Sequence, residues 1–230
     1  MMSTFHKTDA AELQAIYDER FNAHITYRKE VWRVLVSHFF SRFVAAADSV
    51  LDLGCGYGEF INQIACERKY AMDLNTRARQ YLASDVTFIE QDCSATWPLP
   101  DNTLDVVFSS NFFEHLPSKQ ALGDTLEQVR RCLKPGGRLI AMGPNIRFVG
   151  GAYWDFWDHH LALTDTSLAE ILRVERFQLD KVIDRFLPYT MTNRRAVPSA
   201  LVSLYLRMPW LWRVFGKQFL VVARRPGAPS

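Results

Sequence analysis

The segment that most constrains this chain is a short apolar strand that runs straight into three alternating glycines. Ser49-Val50-Leu51-Asp52-Leu53 leads without a break into Gly54-Cys55-Gly56-Tyr57-Gly58. Glycine accepts left-handed backbone and lets another group approach where a Cβ would clash. The segment therefore reads as a ligand-approached turn at the end of a buried strand, where open α/β sheets bind their ligands. A tight strand-to-helix turn with no ligand is the plainer alternative. A dinucleotide fingerprint would need G-x-G-x-x-G. Counted from Gly54 the third position is Glu59, and counted from Gly56 it is Ile61. Both registers fail, which disfavours a dehydrogenase.

Hydrophobic period places the other elements. Residues 9–45 read as helix, with Leu13, Ile16 and Tyr17 on one face, then Trp32, Leu35, Val36, Phe39, Phe40 and Phe43 at spacings of three and four. After the glycines the pattern predicts helix 58–67, strand 69–73, helix 75–83 and strand 86–90. A turn at 97–102 leads to a buried strand over 104–110. The next helix shows Leu122, Leu126, Val129 and Leu133 on one face and stops at Lys134-Pro135-Gly136-Gly137. A strand follows at 138–142. Strands separated by helices imply a parallel sheet covered on both faces. Beyond Pro144, residues 145–163 read as a loop crowded with aromatics, and Ser167 with Glu170 reads as a capping box. The last strands are expected at 174–183 and 217–223, with an apolar helical insert at 198–215. The fold class is α/β, a doubly wound, mostly parallel sheet of seven strands. No composition shift marks a linker, so residues 1–230 are read as one domain.

Charge and cysteine content narrow the setting. The chain carries 27 Lys and Arg against 25 Asp and Glu, which excludes a simple polybasic nucleic-acid tail protein. The balance is uneven, because residues 171–230 hold 11 basic and only 3 acidic residues. Cys55, Cys66, Cys93 and Cys132 show no zinc-type pair spacing, and such sparse usage suits a reducing compartment. The acidic start of the chain does not read as a signal peptide, and no run of apolar residues is long enough to span a membrane. A cytoplasmic location is expected.

The spacing present is Asp52-x-Gly54-x-Gly56-x-Gly58. With the elements that follow it, residues 45–145 resemble the class I S-adenosylmethionine-dependent methyltransferases, of the small-molecule or glycan kind known as types 11 and 23. The resemblance implies a Rossmann-like methyltransferase fold with a helical lid at 1–45, a cofactor-binding core at 46–146 and an acceptor side at 147–230. It implies S-adenosyl-L-methionine as cofactor, held by Asp52, Gly54, Cys55, Gly56 and Gly58. Asp73 falls where the family places an acid on the ribose hydroxyls, and a carboxylate suits a vicinal diol because it accepts two hydrogen bonds. Asp92 falls where the family accepts from the adenine amino group, with Leu74 and Cys93 as apolar walls of the base. Asn111 falls where the chain passes the methionine part. Leu133-Lys134-Pro135-Gly136-Gly137-Arg138 is a recurrent structural feature. Tyr17, Arg20 and Arg28 of the lid are candidates for the methionine carboxylate, or else packing and surface residues.

Three histidines are candidates for the catalytic base, since imidazole takes a hydroxyl proton near neutral pH. His115 lies just past the fourth strand, and Asp158-His159-His160 lies in the aromatic loop. Structural roles are the alternative for each. In ubiquinone-type relatives an E-x-x-E-H run at this place binds a divalent ion. Here Asn111 replaces the first acid, so no metal is expected. The nucleic-acid amine methylating enzymes carry N/D-P-P-Y/F after the fourth strand, whereas this chain has Asn111-Phe112-Phe113-Glu114. DNA is therefore excluded as acceptor and other nucleic acids are disfavoured. The expected acceptor is a hydroxyl on a small molecule or glycan intermediate. The alternatives are a lipid-like or quinone acceptor, or a non-catalytic cofactor-binding partner subunit. Residues 194–217 alternate arginines with bulky aromatics. They read either as core with snorkelling arginines or as a peripheral contact with a membrane or lipid-linked sugar.

Overall fold

A computed structural model of the chain describes residues 25–189 and 197–227. Seven strands form one sheet: β1 (Ser49–Leu53), β2 (Arg68–Asp73), β3 (Val86–Glu90), β4 (Leu104–Ser110), β5 (Leu133–Pro144), β6 (Gln178–Ile183) and β7 (Gln218–Arg224). Their order is β3-β2-β1-β4-β5-β7-β6. The first five strands run parallel, while β7 is antiparallel to both β5 and β6. β1 is buried at all five positions, as an apolar strand between two covered faces must be. On one face Leu51, Leu53, Val107 and Leu139 pack under α2 (Lys119–Cys132) and α3 (Asp165–Val174). On the other, Val50, Phe108, Ile140 and Leu220 pack under α1 (Ile25–His38) and the turn after it. The fold is thus the doubly wound, mostly parallel seven-stranded sheet that the pattern predicts. The chain reverses its direction of travel across the sheet between β1 and β4, which opens a crevice at their carboxyl ends.

Several boundaries differ from the sequence reading for identifiable reasons. Gly54, Gly56 and Gly58 all hold positive φ, so the chain leaves the loop off the helical path. In place of a helix over 58–67 there are isolated turns, such as Asn62 N–H to the Gly58 carbonyl. The segment 75–83 holds a short 3-10 helix, Thr76–Tyr81, opened by the Asn75 side chain. Val174 ends α3 and does not begin a strand, and Arg176 at φ 62° turns the chain before β6 starts at Gln178. The helix is capped by Thr164 and Ser167, each side chain taking the other's backbone N–H, so the Ser167–Glu170 box does not form. β5 is longer than expected because Leu133 already pairs with Leu104 before the register shifts. Residues 145–163 are not all loop, since Ile146–Val149 and Gly150–Asp155 form helical turns. The insert between β6 and β7 is two helices, α4 (Ser199–Arg207) and α5 (Pro209–Phe215), with Pro209 at the start of the second. Helix is described from Ile25 onward, and Tyr17 and Arg20 lie outside the described residues.

Candidate active site

The carboxyl ends of β1, β2, β3 and β4 bring the glycine turn, Asp73, Asp92 and residues 111–115 to one side of the sheet. Asp73 fastens the turn to β2: one carboxylate oxygen accepts the Gly56 N–H and the other the Asn75 N–H, both at 2.9 Å. Burial raises its pKa and these backbone donors oppose the rise. Asp52 sits beneath the turn, almost fully buried. Burial, then the nearby Glu59, push its carboxyl well above the ordinary range, and the Ile61 N–H it accepts opposes them. It braces the turn from below. Arg28, brought in by α1, pairs with Glu59 at 2.7 Å and lies over the Tyr57 ring. Cys55 is buried in the turn.

A cavity of about 270 Å³ opens beside this turn. Asp73 and Leu74 form one wall, Asp92 and Cys93 another, and Phe112 and His115 close the far side. Leu74 stands exposed at the rim. Asp92 Oδ1 accepts from the backbone and the hydroxyl of Ser94. Burial pushes the Cys93 thiol up to about 11, so it serves as a neutral wall. Phe112 packs so closely that a Cβ at Gly54 would fall 2.2 Å from its ring. Asn111 does not line the cavity; its side chain donates to the Ser110 hydroxyl and its backbone sits at φ 49°.

The histidines separate into two that meet and one that does not. His115 ends a 3-10 turn, Phe113–His115, and its Nδ1 lies 3.0 Å from the Asp158 carbonyl and 3.2 Å from the Asp158 carboxylate. Burial lowers the His115 pKa, but the Asp158 hydrogen bond with the Glu114 and Asp158 charges outweighs it, and the net direction is upward. The same hydrogen bond holds Asp158 down at about 2. Glu114 is buried behind them, and burial pushes its carboxyl up to about 7. His159 is buried, with Nδ1 2.8 Å from the Tyr153 carbonyl and its ring 4.9 Å from that of His115. His160 contributes its backbone N–H to the Glu114 carbonyl, while its residue is exposed. Among the described residues, Glu114, His115 and His159 bring one ligating atom each within 4.8 Å of one another. The pairing of Asp158 with His115 and the burial of Glu114 were not legible in the sequence. Asp158 and His115 lie 43 positions apart, and no local period connects them.

Residues 51–141 match the methyltransferase domain family. The chain is similar to a 27-O-demethylrifamycin SV methyltransferase of Amycolatopsis mediterranei (strain S699), 30% identical over 105 residues, 41% of this chain and 38% of that protein. It is also similar to a demethylmenaquinone methyltransferase of Symbiobacterium thermophilum, 31% identical over 163 residues, 64% of this chain and 60% of the relative. The matches thus span between 38% and 60% of these relatives' lengths. In three dimensions the chain resembles a SAM-dependent methyltransferase from Archaeoglobus fulgidus at a TM-score of 0.64 and 19% identity, over 89% of this chain and 98% of that one. A geranyl diphosphate methyltransferase solved with GPP and sinefungin aligns at 0.59 and 15% identity, over 84% and 76%.

Proposed function

We propose that this chain, a member of the class I S-adenosylmethionine-dependent methyltransferases, transfers a methyl group to a hydroxyl of a small-molecule or glycan-intermediate acceptor. The observation that carries the reading is a single cavity that runs from the Asp73 and Asp92 carboxylates to the Asp158-held imidazole of His115. The residues fit the cofactor. The glycine turn holds positive φ at the end of β1 beside the cavity, with the Phe112 ring packed on Gly54, Asp73 keeps lone pairs for a diol, and Leu74 and Cys93 offer apolar walls to a base. S-adenosylmethionine, when bound, supplies an electrophilic methyl on a sulfonium that carries its own leaving group. The protein's work is then alignment and exclusion of water. His115 faces the cavity with its Nδ1 held from behind by Asp158, so Nε2 takes the acceptor proton while the carboxylate stabilises the imidazolium formed. Such a base is worth roughly 10²–10⁴ in rate. His159 packs against His115 and positions it.

Calorimetry tests the reading. S-adenosylhomocysteine is expected to bind in the micromolar range and NADH to give no heat. Asp73→Ala is expected to weaken that binding by about 1–3 kcal/mol, the cost of leaving hydroxyls without their charged acceptor. Heat with NADH and none with S-adenosylhomocysteine would overturn it.

A second reading draws on the convergence of Glu114, His115 and His159. With Asn111 turned to Ser110, sequence spacing leaves two ligands, and the fold supplies His159 as a third. Two histidines and a carboxylate suit a zinc-type ion on the acceptor oxygen. The base reading predicts full turnover after exhaustive EDTA treatment. Loss in EDTA with recovery on added Zn²⁺ would select the metal reading.

A further inference from the structure

Helices α4 and α5 carry apolar side chains on both of their faces. On the inner face Val202, Tyr205, Leu206 and Trp212 join the core, where the Trp212 ring lies 5.1 Å from Phe186 and 5.9 Å from Phe39. On the outer face Leu201, Leu204, Trp210, Val214 and Phe215 are 51–63% exposed. Spacings of three and four place Leu201 with Leu204, and Trp210 with Val214, on one side of each helix. Arg207, Arg213 and Lys217 stand exposed among them. Asp184 is the last acidic residue of the chain, so this outer face has basic neighbours and no acidic ones from its own sequence. A helix that is apolar all round is normally buried, yet α5 has no buried residue.

We propose that the outer face of α4 and α5 seats the protein on a bilayer that contains anionic phospholipid. Trp210 would sit at headgroup depth, where amphipathic rings belong, with Phe215 on the acyl side of the boundary. Arg207, Arg213 and Lys217 would meet the phosphates. The contact is interfacial: the two helices span nine and seven residues, and no described helix is long and apolar enough to cross a membrane. The charge pattern selects this occupant over a neutral apolar partner: Arg207, Arg213 and Lys217 stand on this face, while the nearby acid, Glu30 of α1 beside Ser199, is already paired with Arg33, so the face is net basic and complementary to a phosphate-rich surface. Its position also serves the site. Arg185 donates to the Arg213 carbonyl at 2.6 Å and lies 3.8 Å from the centre of the Phe148 ring. Phe148 belongs to the helical turn that opens the Asp158 segment. At the other end the Val197 N–H donates to the Tyr27 hydroxyl of α1. The seated face therefore borders the segment that carries Asp158, the partner of His115 at the cavity.

The test is co-sedimentation of the full chain with phosphatidylcholine vesicles, with and without phosphatidylglycerol, at low and high salt. Pelleting is expected with the anionic vesicles at low salt, and much less at high salt or with neutral vesicles. Trp210→Ser with Phe215→Ser should lower the partition at least tenfold. Removing each arginine should lower it roughly fivefold, so Arg207→Glu with Arg213→Glu should abolish it. All of these positions are exposed, so melting temperature and S-adenosylhomocysteine binding should stay at wild-type values, which separates this proposal from the reading of the cavity. Equal absence from both pellets at low salt overturns it, and so does undiminished binding by the charge-reversed variant. Concentration-dependent dimers in light scattering, lost in Trp210→Ser without any vesicle binding, would also overturn it by assigning the face to a second copy of the chain.

Discussion

At His115 two opposed effects meet: burial strips water from the imidazolium, while the Asp158 hydrogen bond and the carboxylates of Glu114 and Asp158 favour it. The second effect prevails, so the ring holds its proton above the usual histidine range, and the base form is lost as pH falls through that raised value. The acid limb of kcat/KM is therefore expected above pH 6.5, the ordinary imidazole value. Asp158→Asn removes both the hydrogen-bonded charge and the hold on Nδ1, so the limb should shift to lower pH while kcat at the optimum falls. A pH–rate profile checks both effects. An unshifted limb would show that Asp158 does not act on His115. At this scale the position of Asp73 and Asp92 at the strand ends was legible and the dyad was not. Asp73 and Asp92 announce themselves because each closes or follows a strand within a few residues. Asp158 reaches His115 only through the turns over Ile146–Val149 and Gly150–Asp155, whose path no spacing rule describes.

Among the elements, the turn after β1 was the most legible, because glycine at 54, 56 and 58 is a local backbone requirement. Gly54 at φ 70° carries a second constraint that only packing reveals, since the Phe112 ring from the end of β4 fills the space a Cβ would need. Gly54→Ala should therefore cost about 2–5 kcal/mol, left-handed strain plus overpacking. Phe112→Ala in the same chain should return the overpacking part and leave the strain. Urea midpoints of the two single variants and the double variant read this coupling directly. Additive midpoints would mean that the ring does not rest on Gly54. The helix expected over 58–67 failed at the same element, where three alternating glycines at positive φ lead into isolated turns. Helix α2, with Leu122, Leu126 and Val129 at regular spacing, met no such conflict and formed over Lys119–Cys132, giving up only Leu133 of the expected face to β5.

Across the whole molecule the basic C-terminal quarter is spread through both layers. Arg224 leaves β7 to pair with Asp180 of β6, and Arg225 reaches Asn102 and the end of α2. Arg207 and Arg213 remain on the outer face of the helical insert. A count of charges along the sequence cannot separate these roles, because pairing across strands depends on sheet order. The sequence alone determined the alternation of apolar strands and amphipathic helices, the glycine turn, the strand-end carboxylates Asp73 and Asp92 and the break at Pro209. Each of these is set by backbone geometry and side-chain period within about ten residues. Tertiary structure alone decided that Asp52 lies under the turn and outside the cavity, that Asp158 and His159 converge on His115 while His160 does not, and which face of α4 and α5 is left uncovered. Those outcomes depend on which distant segments share a surface once the sheet has closed, and contacts of that range leave no period in the chain.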